Sequence, residues 1–318
     1  MSGMALLLSF MGMLAFAGTA LAQAKKPPLP PGRDPGGVAV AFLTTGIDYT
    51  VPQIAQRLAR DGEGELIGFD LVDNDNRPLG YGRAETPAHW GGNGTALAID
   101  ILDATVSTRL VPVRVDPSNS TSLARAVAFI AQTPARIVAV PMWGPRKEDW
   151  EPFRQAAERF QQLLFVVAAG EDGKDLDKDP VYPAAFALSN ILVVTSARSE
   201  ANPPRSAHIS PAANWGANTV DAVALAKDSV VATAVVAKAA AALLPHASGL
   251  SGAELKLKLI QSSPLQREDE TPRRTRSRSI LMPMQLRVQE TPDPSTRVLD
   301  KTRVPERLEE PIQRGKTR

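Results

Sequence analysis

Apolar positions in the middle of this chain come in two rhythms. The first is a series of short, uninterrupted runs: Val38–Leu43, Leu66–Val72, Leu110–Val115, Ile137–Met142, Leu163–Ala168 and Ile191–Thr195. Runs of this length without regular polar alternation predict strands covered on both faces, as in a parallel sheet under helices. The second rhythm has helical spacing. Thr50 with Pro52 two residues on predicts a capped helix through Leu58. Thr95–Leu102 and Ser120–Ala131 read as helices, and Trp150, Phe153, Ala157 and Phe160 mark the buried stripe of a helix over Glu148–Phe160. Asp73–Gly92 is a polar, turn-rich loop. Val230–Leu244 is apolar on nearly every side, which predicts a helix running through the interior. Ser251 and Glu254 form a capping box for a last helix ending near Ile260. Strands alternating with helices predict an α/β fold with a mostly parallel central sheet and helices on both faces.

The ends of the chain have a different character. Residues 4–17 are almost wholly apolar, and Ala20-Leu21-Ala22 offers the small-x-small pattern of a signal peptidase site. Residues 1–22 therefore read as a secretory signal, and the protein as secreted or periplasmic. An uncleaved N-terminal anchor is the other reading, against which the run falls short of the roughly 20 residues a spanning helix needs. Residues 23–37 read as an extended Pro-rich linker, 38–262 as the folded domain and 263–318 as a basic, Pro-rich, largely disordered tail. Within that tail Arg273–Arg278 is a basic cluster expected to be solvated, and Ile280–Met284 is an apolar island able to dock on the core. Composition narrows the chemistry. Lys+Arg 36 against Asp+Glu 34 leaves a formal charge of +2, too little to gather nucleic acid or an anionic membrane. Without cysteine there is no disulfide, thiolate nucleophile or Cys-ligated zinc, and three histidines make a multi-His metal site improbable.

Several segments, in order, resemble the subtilisin-like serine peptidases, or subtilases. They are Val38–Asp48 (VAVAFLTTGID), Gly68–Pro78 (GFDLVDNDNRP), Gly92-Asn93-Gly94-Thr95 and Phe165–Gly173 (FVVAAGEDG), followed by Tyr182-Pro183-Ala184, Asn190–Val194, Asn214-Trp215-Gly216 with Val220-Asp221, and the long helix Val230–Leu244. The resemblance spans about residues 35–262. It implies a subtilisin-like fold, shortened before the helix that carries the family's nucleophile.

The family's reacting groups do not carry over onto this chain. The resemblance puts Thr44 at the aspartate position, Asn93 at the histidine position, Glu171 at the oxyanion asparagine and Val230 at the nucleophile. No catalytic residue is therefore expected. Ser229, one residue from Val230, and His89, four before Asn93, are the candidates for a rescued site. The plainer role for Ser229 is to cap the long helix together with Asp228. Asp48 matches a second family aspartate and could equally cap the helix after it. The loop of Asp172, Asp175, Asp177 and Asp179 has oxygen ligands of the kind calcium takes, but it lacks the EF-hand glycine and glutamate, so a solvated loop is expected and no cofactor is assigned. The implied function is that of an exported, inactive pseudopeptidase binding a polypeptide or protein partner. An active serine endopeptidase built on Ser229 and a purely structural envelope protein are the alternatives.

Overall fold

The computed structural model describes residues 26–80, 92–103, 107–199, 207–247, 249–262, 275–276 and 280–281. The signal segment, His89 and nearly all of the expected tail lie outside the described residues. Nine strands form one sheet: β1 (Val38–Thr44), β2 (Phe69–Asp70), β3 (Thr108–Arg114), β4 (Ile137–Val140), β5 (Leu164–Ala168), β6 (Ile191–Arg198), β7 (His208–Ile209), β8 (Ala222–Leu225) and β9 (Ile280–Leu281). Their order is β2-β3-β1-β4-β5-β6-β8-β9, with β7 paired to β6 off this path. Every pairing is parallel except β6 with β7. Strands β4 and β5 are buried at every position, as continuous apolar runs covered on both faces must be.

Six helices complete the domain: α1 (Pro52–Ala55), α2 (Gly94–Leu102), α3 (Ser120–Ile130), α4 (Lys147–Arg159), α5 (Ser229–Leu243) and α6 (Gly252–Ser262). Helix α5 packs against α2 and across β1, β4, β5, β6 and β8, and twelve of its fifteen residues are buried. Its length and hydropathy would suit a membrane span, but here it is the core helix of the domain. Its alanines let five strands approach one helix closely. Helices α3 and α4 pack on each other, and α4 buries Trp150, Phe153 and Ala157 as the spacing predicted. Phe153 stands edge-on to Trp150 and to Phe165 of β5, which ties that stripe to the sheet. The capping box forms: Ser251 N–H donates to Glu254 Oε2 (2.7 Å) and Glu254 N–H to Ser251 Oγ (3.3 Å).

Four expectations need correction. The helix after Thr50 is one turn, not two, and Val51 precedes it without a side-chain cap. Thr50 is used otherwise, its N–H and hydroxyl both donating to Asp48 Oδ1. The strand expected over residues 66–72 shrinks to β2, because Leu66 turns back to bridge Arg60. Residues 26–37 are extended but are not a free spacer. Lys26 Nζ reaches Asp70 (2.6 Å) and Asp73 (2.8 Å), Tyr49 Oη donates to the Pro27 carbonyl (2.6 Å), and Leu29 packs on the core. The domain also does not end at residue 262. Ile280–Leu281 adds β9 beside β8, as the apolar island suggested, and Arg276 of the basic cluster pairs with the buried Asp221 (3.1 Å) instead of facing water.

Candidate functional site

In a parallel sheet the loops beyond the carboxyl ends of the strands gather at one edge, and helix N-termini point at them. Here β1 ends at Thr44, β4 leads to Trp143 and Gly144, and β5 leads to Gly170 and Glu171. Facing them are the first turns of α2 and α5.

Thr44 is buried, and its hydroxyl is tied to Gly46, donating to the carbonyl and accepting from the N–H (both 3.1 Å). The start of α2 lies directly on it. A Cβ at Gly94 would stand 2.3 Å from Thr44 Oγ1 and 2.4 Å from the Gly46 carbonyl, so only glycine admits this contact. Asn93 caps α2, its Oδ1 accepting from Ala96 N–H (3.2 Å), and is exposed. Gly92, just before it, faces Val230, whose Cγ1 lies 4.0 Å from where a Cβ would be.

At the start of α5 the expected division of labour is reversed. Asp228 alone caps the helix, accepting from Val231 N–H (2.8 Å). Ser229 is the first helical residue, fully buried. Its Oγ accepts from Gly170 N–H (3.2 Å), and its own N–H donates to Glu171 Oε1 (2.5 Å). Burial pushes the Glu171 carboxyl above its ordinary range. Bonds from the Ser229 N–H and side chain oppose that rise, and the neighbouring Asp228 and Asp172 charges add to it.

The loop carrying Glu171 is held by Asn214, which is buried. Its Nδ2 donates to the Ala169 carbonyl (2.9 Å), and its Oδ1 accepts from the N–H groups of Asp172 (3.0 Å) and Lys174 (2.9 Å). Gly170 has φ +99°, and a Cβ there would stand 2.5 Å from Asn214 Nδ2 and 2.9 Å from Trp143 Nε1. Sequence reasoning noticed Asn214 only as part of a motif. Its function as the clamp of this loop depends on contacts some forty residues away and left no local signal. Beside the clamp opens a cavity of about 410 Å³, lined by Trp143, Pro145, Glu171, Asp172, Lys174 and Val181.

Thr44, Asn93, Glu171, Ser229 and Val230, distant in sequence, thus meet at one crevice. Other candidates do not join them. Asp48 spends its side chain on Thr50. His246 follows the far end of α5, and His208 sits on the exposed edge strand β7. The acidic loop does not gather its carboxylates. Asp177 accepts from the N–H groups of Asn218 and Thr219, Asp175 pairs with Lys178, and Asp179 with Lys174. Among the described residues no group of three or more His, Cys, Asp or Glu is arranged to hold a metal ion.

No protein-family model and no curated protein sequence matches the chain. Solved structures do. A cold-adapted subtilisin-like serine proteinase is 20% identical with a TM-score of 0.57, over 79% of this chain and 90% of that one. A structure of the subtilase cytotoxin SubAB assembly is 20% identical with a TM-score of 0.59, over 78% and 88%. The A-subunit of the AB5 toxin from E. coli is 19% identical with a TM-score of 0.54, over 77% and 89%. The sheet order, the long buried helix α5 and these likenesses agree: the chain has the subtilisin-like α/β fold.

Proposed function

We propose that this chain is an exported pseudopeptidase that has given up hydrolysis and holds a polypeptide or protein partner in the crevice it retains. The observation that carries the reading is the state of Ser229. Its hydroxyl is the nearest nucleophile to the crevice, yet it is fully buried and hydrogen-bonded to Gly170 N–H. Attack on a carbonyl needs an exposed oxygen and a base that takes its proton near neutral pH. Asn93 is an amide and does not titrate. Thr44 has no charge with which to orient an imidazole. Val230 has no attacking atom. Among the described histidines, His246 lies beyond the far end of α5, roughly 22 Å away at about 1.5 Å per helical residue. Glu171 presents a carboxylate where a developing oxyanion would need a donor. Two such charges about 4 Å apart repel by about 4 kcal/mol at an effective dielectric near 20.

Binding survives these losses. The cavity between Trp143, Val181 and Glu171 has apolar walls and a polar floor, which suits one side chain of an extended polypeptide. Among its structural likenesses are a serine proteinase and toxin subunits, so the fold itself accommodates both cutting and assembly.

The test uses the purified full chain with fluorescent casein and a fluorophosphonate probe. Saturable casein binding without peptide release or labelling is expected. Labelling that Ser229→Ala abolishes would overturn the reading in favour of an active serine endopeptidase. Absence of casein binding and of turnover together would leave only a structural role.

A further inference from the structure

A second cavity, of about 230 Å³, lies at the opposite end of the sheet. The crevice described above lies beyond the carboxyl ends of β1, β4 and β5. This one opens where β6 and β8 begin, and Ala184, Leu188, Asn218, Asp221, Lys256 and Arg276 help to line it. Three charges meet there. Asp221 is buried, accepting at Oδ2 from Val193 N–H (2.9 Å) and Lys256 Nζ (2.7 Å), and at Oδ1 from Arg276 Nη1 (3.1 Å). Lys256, 8% exposed, also donates to the Ile191 carbonyl (2.6 Å). Arg276 donates through its other nitrogen to the Asn218 carbonyl and stays half exposed.

The charges do not balance. Two cations share one carboxylate, leaving a surplus positive charge at a buried position. An ammonium has three protons to donate. Lys256 spends two on Asp221 and Ile191, and the third has no acceptor among the described residues. A buried charge without full compensation is costly, and an anion entering the cavity would relieve it. Burial, with Arg276 adding to it, depresses the Lys256 pKa against the pull of Asp221, in keeping with a cation short of partners. The walls limit which anion fits. Ala184 and Leu188 offer apolar surface, which favours a carboxylate with a short alkyl chain over a fully polar oxyanion such as phosphate.

We propose that this cavity binds a short aliphatic carboxylate, its oxygens on Lys256 and Arg276 and its alkyl chain against Ala184 and Leu188. The carboxylate is either a free acid or the C-terminus of a peptide. The proposal stands apart from any activity in the crevice.

The test titrates the full chain with butyrate, with its neutral analogue butyramide and with inorganic phosphate, following the backbone amide resonances of Val193, Thr219 and Asp221. Saturable shifts with butyrate, absent with butyramide, are expected. Arg276→Gln, at a half-exposed position that should leave the fold intact, should weaken butyrate about tenfold. An alanyl-valine dipeptide compared with its C-terminal amide identifies the source: tighter binding of the dipeptide acid than of butyrate assigns a chain terminus, and the reverse assigns a free acid. Any one of three results would overturn the proposal: no saturable shift at about 50 mM butyrate, an equal response to butyramide, or tighter binding of phosphate. An Arg276→Gln protein that is folded by circular dichroism yet binds butyrate undiminished would also overturn it.

Discussion

Glu171 is the residue at which the crevice concentrates its chemistry. Its carboxylate is half buried, near Asp228 and Asp172, and its main compensation is the N–H of Ser229 at 2.5 Å. An acid whose folded pKa is raised costs stability once the unfolded chain ionises. Below the ordinary value of 4.5 both states hold the proton and the cost vanishes. As pH rises past 4.5 the cost grows, and it levels off above the folded value. Glu171→Gln removes the charge while keeping an oxygen to accept from Ser229 N–H. Thermal melts should therefore show the variant more stable than the parent at pH 7 to 8, with the gap closing as pH falls towards 4. A variant that melts lower at pH 7 would mean that the ionised carboxylate stabilises the turn after all.

Single elements were read well from sequence where one element decides its own structure. The boundaries of α2, α3, α4, α5 and α6 fall within two residues of the pattern, because caps and apolar stripes are local signals. Elements that borrow their stability were missed. Strand β8 is four residues long, follows the charged Asp221 and exists because β6 lies beside it. Strand β9 follows a basic segment and needs β8 as its template. The turn from β5 into the crevice belongs to both kinds. Ala168-Ala169-Gly170 is recognisable as a motif, but the reason for its glycine is tertiary. With φ at +99° and a would-be Cβ 2.5 Å from Asn214 Nδ2, an alanine meets strain and a clash together. Gly170→Ala should lower stability by about 2–4 kcal/mol in urea titrations and disturb Trp143 fluorescence. A variant with unchanged stability would mean that this loop rearranges freely and that Asn214 does not clamp it.

At the scale of the whole molecule, the domain is fastened by segments that composition alone assigns to linker and tail. Proline content hides the N-terminal arm, because what holds it is the meeting of Lys26 with a loop more than forty residues away. Lys26 Nζ reaches Asp70, Asp73 and Asp75, and donates to the Arg77 carbonyl (2.9 Å). Asp70 is fully buried, and without Lys26 it would depend on Arg114 and two backbone N–H groups. Removing one cation from such a cluster should cost about 1–3 kcal/mol, so Lys26→Met should shift the urea midpoint of the whole domain rather than free the arm alone. The pH dependence follows from the two shifts. Lys26, lowered by burial but raised further by its three carboxylates, contributes fully below its ordinary 10.5 and fades only above it. Asp73, held below its ordinary 3.8 chiefly by its hydrogen bond to Lys26, contributes above 3.8 and loses that contribution as acid drives it through its folded value. The difference between parent and variant should therefore stay flat from about pH 5 to 9 and narrow below pH 4. A difference that persists undiminished at pH 2 would show that Lys26 acts through the packing of its alkyl stem and not through these carboxylates.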